Sequence, residues 1–117
     1  MNRVEKPWGY YQDLFRREDL VLKEIIVNPG KRLSLQFHNQ RKELWFIKSG
    51  RGTFTINGLS YSVSSEDALI IGVRCSHRIE NTSSCNALII HETQVSVNGS
   101  CLEDDIIRIE DDYGRSV

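Results

Sequence analysis

The sequence has little of what membrane-bound or nucleic-acid-binding proteins need. Its formal net charge is -1, with 15 Lys and Arg against 16 Asp and Glu, so no positive excess favours nucleic acid or an anionic membrane surface. No apolar run approaches the length that spans a bilayer. The residues that follow Met1 also lack the apolar core of a signal peptide. These absences predict a cytoplasmic protein with neither a nucleic-acid nor a membrane partner.

Disulfides and helices are not expected either. Cys75, Cys85 and Cys101 are odd in number and lack Cys-x-x-Cys spacing, which favours free thiols in a reducing compartment and structural burial over catalysis. No stretch of a dozen residues shows a helical apolar period. The 117 residues, 39% of them hydrophobic, provide apolar material for one core and too little for two.

What the chain does contain is a series of short apolar or alternating segments separated by turn residues. Asn57-Gly58, between two alternating segments, is the strongest short-range signal for a β-hairpin. Strands are predicted over residues 10–15, 20–27, 33–38, 43–48, 53–56, 59–63, 68–73, 77–81 and 87–91. A last strand or turn is predicted around Ile106 to Ile109, flanked by a solvated acidic face. This pattern predicts an all-β sandwich or barrel.

A candidate metal site lies in the stretch from residue 30 to residue 50. Gln36 and His38 are two apart, so in a strand both point to one face, and Glu43 begins the next strand. If these two strands pair across the polar connection, the three side chains converge, and His77 is the natural fourth ligand. Imidazole, carboxylate and amide groups are plausible ligands for a divalent metal. The alternative is that a buried histidine and a glutamate satisfy each other inside a barrel.

The same residues resemble the first motif of the cupin superfamily. The residues with that spacing are Gly30, Gln36, His38, Glu43 and Gly50. Residues 72–81, GVRCSHRIEN, resemble a degraded second cupin motif that keeps the His77 and Asn81 ending but lacks the usual proline and glycine.

From residue 7 to residue 115 the sequence further resembles the type II mannose-6-phosphate isomerase domain. The matching segments include Pro7-Trp8-Gly9, Leu33-Ser34-Leu35-Gln36, His77-Arg78, Glu80-Asn81, Glu103-Asp104-Asp105-Ile106 and Asp112-Tyr113-Gly114-Arg115. The resemblance implies an all-β, cupin-type jelly-roll β-barrel, a single domain over residues 1–117 with its core at about 7–97 and a C-terminal tail at 98–117. That domain is often the C-terminal half of a two-part enzyme with a sugar-phosphate nucleotidylyltransferase. Here it is expected to stand alone and to form a homodimer.

The resemblance also implies a reaction, the interconversion of mannose 6-phosphate and fructose 6-phosphate through an enediol. A divalent metal (Zn, Co, Mn, Fe or Ni) on Gln36, His38, Glu43 and His77 would polarise the sugar oxygens. The family usually has a His-rich run after the Gln, ending in Glu-His-Trp, and this sequence lacks two or three of those imidazoles. If the family's metal used those positions, this protein would bind metal weakly or not at all. Strand alternation favours the cupin positions, because position 44 faces away from Glu43, and there Gln36, His38, Glu43 and His77 remain complete.

Further site residues follow from what the chemistry needs. Arg41, next to the ligand turn, is the first candidate for a catalytic cation that contacts the phosphate. The other candidate substrate-binding cations are Arg32, Lys42, Arg78, Arg108 and Arg115. Glu92, Glu80 and His91 are unranked options for the base, of which we take Glu92 as the catalytic candidate, and Tyr113 closes the mouth or serves the dimer.

Two other functions fit the same sequence. A non-catalytic cupin that binds a sugar phosphate or a nucleotide sugar is favoured by the depleted histidine run. A different cupin enzyme, such as an epimerase or a metal-dependent oxygenase, is the other. An oxygenase would use a face of two histidines and one carboxylate, which only His38, His77 and Glu43 offer.

Overall fold

The structure is a computed structural model that describes residues 3–114. This part of the chain forms eleven antiparallel strands. They are β1 (Arg3–Lys6), β2 (Gly9–Arg17), β3 (Leu20–Val27), β4 (Leu35–Phe37), β5 (Arg41–Ser49), β6 (Arg51–Ile56), β7 (Leu59–Ser64), β8 (Ala68–Ile71), β9 (His77–Asn81), β10 (Leu88–Ser96) and β11 (Ile107–Glu110). No helix occurs in this described range. The predicted all-β class is therefore confirmed, and no helix there is long and apolar enough to cross a bilayer.

Two sheets form the barrel. The six-stranded sheet has the order β1-β2-β3-β10-β5-β8, and the five-stranded sheet has the order β11-β4-β9-β6-β7. Alternation along β5 is strict: residues 41, 43, 45 and 47 are buried, while 42, 44, 46 and 48 are exposed. The inward residues of both sheets pack into one core around Trp45, Ile79 and Ile90. Leu44 is 47% exposed, so position 44 faces away from Glu43 as predicted.

The predicted pairing of the strands on either side of residues 39–42 is wrong. β4 pairs with β9 and β11 in one sheet, whereas β5 pairs with β10 and β8 in the other. The connection leads the chain from one sheet to the facing one instead of making a hairpin. Gln36 and Glu43 therefore lie on facing sheets and do not share a ladder.

The C-terminal segment belongs to the barrel wall. Residues 107–110 add an edge strand to β4, with Arg108 opposite Gln36 and Ile107 opposite Phe37. Arg115 lies outside the described residues. The sequence also predicts that the first strand, residues 10–15, and residues 106–109 supply the homodimer interface. Residues 10–15 lie in β2, between β1 and β3, and residues 107–109 lie in the edge strand β11; the homodimer stays a prediction.

Turn and cysteine predictions have mixed outcomes. Asn57 and Gly58 have φ values of 48° and 81° and connect β6 to β7, which confirms the predicted hairpin. All three thiols are free, but only Cys101 is buried; Cys85 is exposed, so its predicted burial is wrong.

Gly9 is expected to be far less replaceable than Gly58. Its φ is +150°, and a Cβ there would lie 2.0 Å from the carbonyl oxygen of Ile26, whereas a Cβ on Gly58, at φ +81°, meets no atom within 4 Å. Gly58→Ala should cost about 1 kcal/mol of unfolding free energy from strain alone. Gly9→Ala should cost at least about 3 kcal/mol because a backbone atom has to move. Urea unfolding of both variants checks this. Equal losses of unfolding free energy would show that the backbone at Ile26 moves away from the new Cβ at little cost.

Candidate metal and substrate site

Two histidines converge on a buried carboxylate between the sheets. Glu43 comes from β5, His77 from the start of β9, and His38 from the connection after β4. His38 Nε2 lies 3.2 Å from Glu43 Oε2, and His77 Nε2 lies 3.6 Å from Glu43 Oε1. One donor atom from each residue lies within 4.8 Å of the other two. The three residues are at most 4% exposed, so bulk water has little access to them.

Backbone carbonyls fix the orientation of both imidazole rings. His38 Nδ1 lies 2.6 Å from the carbonyl oxygen of Asp105, and His77 Nδ1 lies 2.9 Å from that of Cys75. A carbonyl oxygen only accepts, so each Nδ1 must carry the proton. The lone pair of each ring is then on Nε2, which faces Glu43. Metal-binding histidines in proteins are held in this way.

Burial keeps both rings in the neutral form that binds metals. Loss of water, and after it the Arg41 guanidinium, lower the pKa of His38 to about 4. Burial also lowers the pKa of His77. His77 Nε2 is a buried nitrogen without a hydrogen-bond partner among the described residues. An unpartnered lone pair, a second imidazole and a carboxylate fit a divalent cation.

Arg41 contacts the atoms that would bind the metal. Its Nε donates to Glu43 Oε2 at 2.8 Å, and its Nη2 donates to His38 Nε2 at 3.3 Å. Trp45 Nε1 donates to the other carboxylate oxygen, Glu43 Oε1, at 2.9 Å. The guanidinium therefore compensates the buried carboxylate, and a metal on the same lone pairs would have to displace it.

A cavity of about 160 Å³ opens beside this cluster. Gln36, the fourth predicted ligand, lines it and is the register partner of His77 between β4 and β9. Other polar residues on its wall are Lys6, Tyr11, Lys23, Ser34, Arg41, Glu92, Glu103 and Arg108. The walls are apolar elsewhere, from Trp8 and Trp45 among others, so the cavity offers a small polar ligand several charged contacts.

Comparisons with known proteins match nearly the whole chain to one family. The family model described as "Mannose-6-phosphate isomerase C-terminal" matches residues 1–111. The chain belongs to this family. It is 37% identical over 113 residues to a mannose-1-phosphate guanylyltransferase of Escherichia coli, covering 96% of this chain and 23% of that protein. It is 35% identical to the alginate biosynthesis protein AlgA of Pseudomonas aeruginosa, covering 97% of this chain and 23% of that protein. The chain thus spans about a quarter of the length of these relatives.

Solved structures support the fold of this family member. A cupin domain of Schizosaccharomyces pombe Cnp3 superposes with a TM-score of 0.76 at 14% identity, over 84% of this chain and 70% of that one. An RmlC-like cupin from Shewanella frigidimarina gives 0.76 at 15% identity, over 88% and 86%. The predicted cupin-type barrel is confirmed, and at this identity the likeness shows the fold alone.

Within this mannose-6-phosphate isomerase C-terminal domain, the cavity wall holds two of the predicted cations. Arg41 and Arg108 both line it, and Arg108 Nε is buried without a hydrogen-bond partner in the described part of the chain. Sequence reasoning missed Lys23 and Lys6. The signal for Lys23 was available, because it is in phase with Val21 and Ile25 on the buried face of β3.

Three other predicted substrate-binding residues, Arg32, Lys42 and Arg78, do not line the cavity. Lys42 lies on the exposed face of β5. The Arg32 guanidinium donates two hydrogen bonds to the Asp112 carboxylate, at 2.6 and 2.9 Å. The Tyr113 hydroxyl donates to the backbone carbonyl oxygen of Arg32 at 2.8 Å. The Arg78 guanidinium donates to the Leu33 carbonyl at 2.8 Å and to Glu110 at 3.0 Å. The C-terminal segment is therefore bonded to the rest of the domain through Arg32, Arg78 and Tyr113.

Of the three candidate bases, only Glu92 lines the cavity. It is 4% exposed, and Gln94 Nε2 donates to its Oε2 at 2.8 Å. Burial raises its pKa, and the neighbouring Glu43 carboxylate raises it further. His91 instead pairs with Glu24, at 3.0 Å, on the outer face of the sheet. The backbone of Glu80 forms an isolated β-bridge with that of Arg32.

Acidification should destabilise the metal-free domain through His38. Its folded pKa of about 4 lies below the ordinary 6.5, so between these values the unfolded chain binds the proton more strongly. The His38 contribution to stability is complete above about pH 6.5 and is lost as the pH falls toward 4, amounting to about 2 kcal/mol between pH 7 and pH 5. Glu92, whose pKa is raised, acts with the opposite sign.

The His38 component is therefore measured by difference. Urea unfolding at pH 7 and pH 5 is compared between the metal-free wild type and His38→Gln. The loss on acidification should be smaller by about 2 kcal/mol in the variant. Identical pH profiles would show that His38 is not held neutral by its surroundings.

Proposed function

We propose that this domain interconverts mannose 6-phosphate and fructose 6-phosphate with a divalent metal held by His38, Glu43, His77 and Gln36. The observation that supports this most is the buried cluster of two neutral imidazoles and one carboxylate, with His77 Nε2 unpartnered, at the edge of a cavity lined by cations. The family description and the mannose 1-phosphate chemistry in a relative's name support the substrate class.

The reaction moves a proton between adjacent carbons through an enediol, and the parts it needs are present. When bound, the metal would supply the electrophile that stabilises the developing oxyanion. The two Nδ1–H groups, tied to backbone carbonyls, keep the ligand nitrogens in place. Arg41 and Arg108 offer guanidinium groups to an anionic substrate from the cavity wall.

Glu92 is suited to carry the proton. A base works best with a pKa near the working pH, and burial together with Glu43 moves the pKa of this carboxyl upward from its ordinary value. In the sheet it lies opposite Trp45, two residue pairs along from Glu43, and it lines the cavity next to the metal cluster. The Gln94 amide holds one carboxylate oxygen and leaves the other for the substrate proton.

A second function, a binding module without catalysis, is favoured by one observation. The Arg41 guanidinium already compensates Glu43 and occupies the His38 lone pair. Glu43 and His38 therefore have a partner without a metal, whereas His77 Nε2 has none among the described residues. That partner is Arg41, and not, as in the sequence alternative, the histidine and the glutamate for each other. Such a domain would hold a sugar phosphate or a nucleotide sugar in the cavity without turning it over.

Metal binding separates these functions and is expected at one divalent ion per chain. Titration with Co²⁺, followed by calorimetry and by the visible absorption of the bound ion, should show one site that is lost in His77→Ala. His91→Ala is the matched control, because His91 pairs with Glu24 on the outer face and should bind as the wild type does. A wild type that takes up no ion would favour the binding module.

Isomerase activity is expected to depend on Arg41 separately from the metal. A coupled assay with mannose 6-phosphate and added Zn²⁺, Co²⁺ or Mn²⁺ should detect turnover, and Arg41→Ala should lose at least about a hundredfold in kcat/KM. Metal content should be retained or should rise, because a competing cation is gone.

The assay has two informative negative results. Full activity in Arg41→Ala would remove the catalytic role of this residue. A wild type that is inactive with every metal would remove the isomerase function itself.

A further inference from the structure

Lys23 is a buried cation that faces the cavity. It is 5% exposed and lies on the inner face of β3. Its Nζ lies over the Tyr11 ring, 4.1 Å from the ring centroid. Lysines are rarely buried without a partner because the ammonium loses its water. Here the partner is Glu103, whose carboxylate oxygens lie 2.5 and 3.0 Å from Nζ.

The partner carboxylate is much less firmly held than the lysine. Glu103 lies in the turn between β10 and β11, and its side chain is 46% exposed against 6% for Lys23. Glu103 also pairs with Arg16, whose Nη2 lies 3.4 Å from Oε1, and this pair is at the surface. Glu103 could therefore turn into water at little cost, whereas Lys23 would remain buried and need another anion.

The register of the sheet sets the distance between Lys23 and the metal cluster. Trp45 on β5 lies opposite Glu92 on β10, which lies opposite Lys23 on β3. Glu43 is one inward position further along β5. With strands about 4.8 Å apart and about 3.4 Å per residue, the Cα atoms of Glu43 and Lys23 are separated by roughly 12 Å. Glu92 lies on the strand between them.

This spacing suits a ligand with oxygens to be polarised at one end and an anionic group at the other. We propose that Lys23 binds the phosphate of the substrate and that Glu103 is an exchangeable counterion, which the phosphate displaces from Lys23. The identity of the substrate as a sugar phosphate rests on the proposed function. Lys6, whose Nζ lies 5.8 Å from the centroid of the Tyr11 ring, adds positive charge to the same wall.

The test compares two substitutions that should act in opposite directions. Calorimetry on the whole chain measures binding of mannose 6-phosphate, of mannose and of inorganic phosphate. Lys23→Met should weaken binding of mannose 6-phosphate and phosphate by roughly tenfold or more, because a charge-assisted contact is lost, and leave mannose unaffected. Glu103→Gln should strengthen binding of both phosphates several-fold, since the competing anion is gone. Lys48→Met, at an exposed position of β5, is the matched control and should change nothing.

The opposite signs distinguish binding from a structural role. If the Lys23–Glu103 pair only stabilised the fold, both substitutions would weaken binding together, and that result would overturn the proposal. Wild-type affinity in Lys23→Met, or no binding of either phosphate by the wild type, would overturn it too. Where Lys23→Met does not fold, as judged by circular dichroism, Lys23→Arg should retain affinity and Glu103→Gln still decides the sign.

Failure of the proposed function would look different. No isomerisation with any metal, combined with the predicted binding pattern, would leave the Lys23 subsite standing in a non-catalytic domain. Turnover of mannose 6-phosphate that is insensitive to Lys23→Met would keep the isomerase and refute the subsite.

Discussion

A carboxylate without access to water is the constraint on which the interior depends. Glu43 is 2% exposed, and a buried charge is tolerated only when donors or cations of the protein surround it. Each of its oxygens therefore accepts a hydrogen bond, one from the Trp45 indole and one from the Arg41 guanidinium. The inward position of an arginine and the orientation of a tryptophan in the core follow from this one group. The neutral state of His38 has a cause of its own: burial, and after it the Arg41 guanidinium, lowers its pKa.

Charge balance connects the metal and substrate parts of the cavity. Without a metal, Glu43 and Arg41 cancel. A divalent ion on Glu43 and the histidines would leave the cluster with net positive charge, and Arg41, displaced from its acceptors, would have only the cavity side in which to find an anion. Under the proposed function, metal binding would thus increase the attraction of this cavity for a phosphorylated ligand. The same balance explains how the domain can be stable with or without an ion.

How far the sequence predicted this structure depended on the kind of signal. Alternation and turn residues located most strands, including residues 20–27 and 77–81 at the bounds the structure shows, because sheet pleating acts locally. The pairing of β4 with β5 was wrong because a polar connection that changes sheets resembles one that closes a hairpin. Spacing and family resemblance nevertheless selected Gln36, His38, Glu43 and His77, since facing inward does not require the strands to be neighbours.

Arginines were the weakest part of the prediction because a guanidinium suits a surface ion pair as well as a phosphate. Arg32 and Arg78 pair with acidic residues near the C-terminus, while Lys23, in plain alternation on β3, was overlooked. Telling these cases apart requires knowing where the acidic tail lies, and that is a property of tertiary structure. Composition alone describes the tail only as a solvated acidic face.

The position of the tail also explains why one acidic residue can act differently from the others. Solvent-exposed ion pairs such as Arg32–Asp112 contribute little, so the tail is held mainly by the pairing of β11 with β4 and by backbone contacts such as that of Asp105 with His38. Glu103 precedes both of these anchors, in a turn without strand partners. Its carboxylate can leave Lys23 while the wall of the cavity stays in place. A counterion on a movable turn, facing a fixed buried cation, is what exchange with a substrate anion requires.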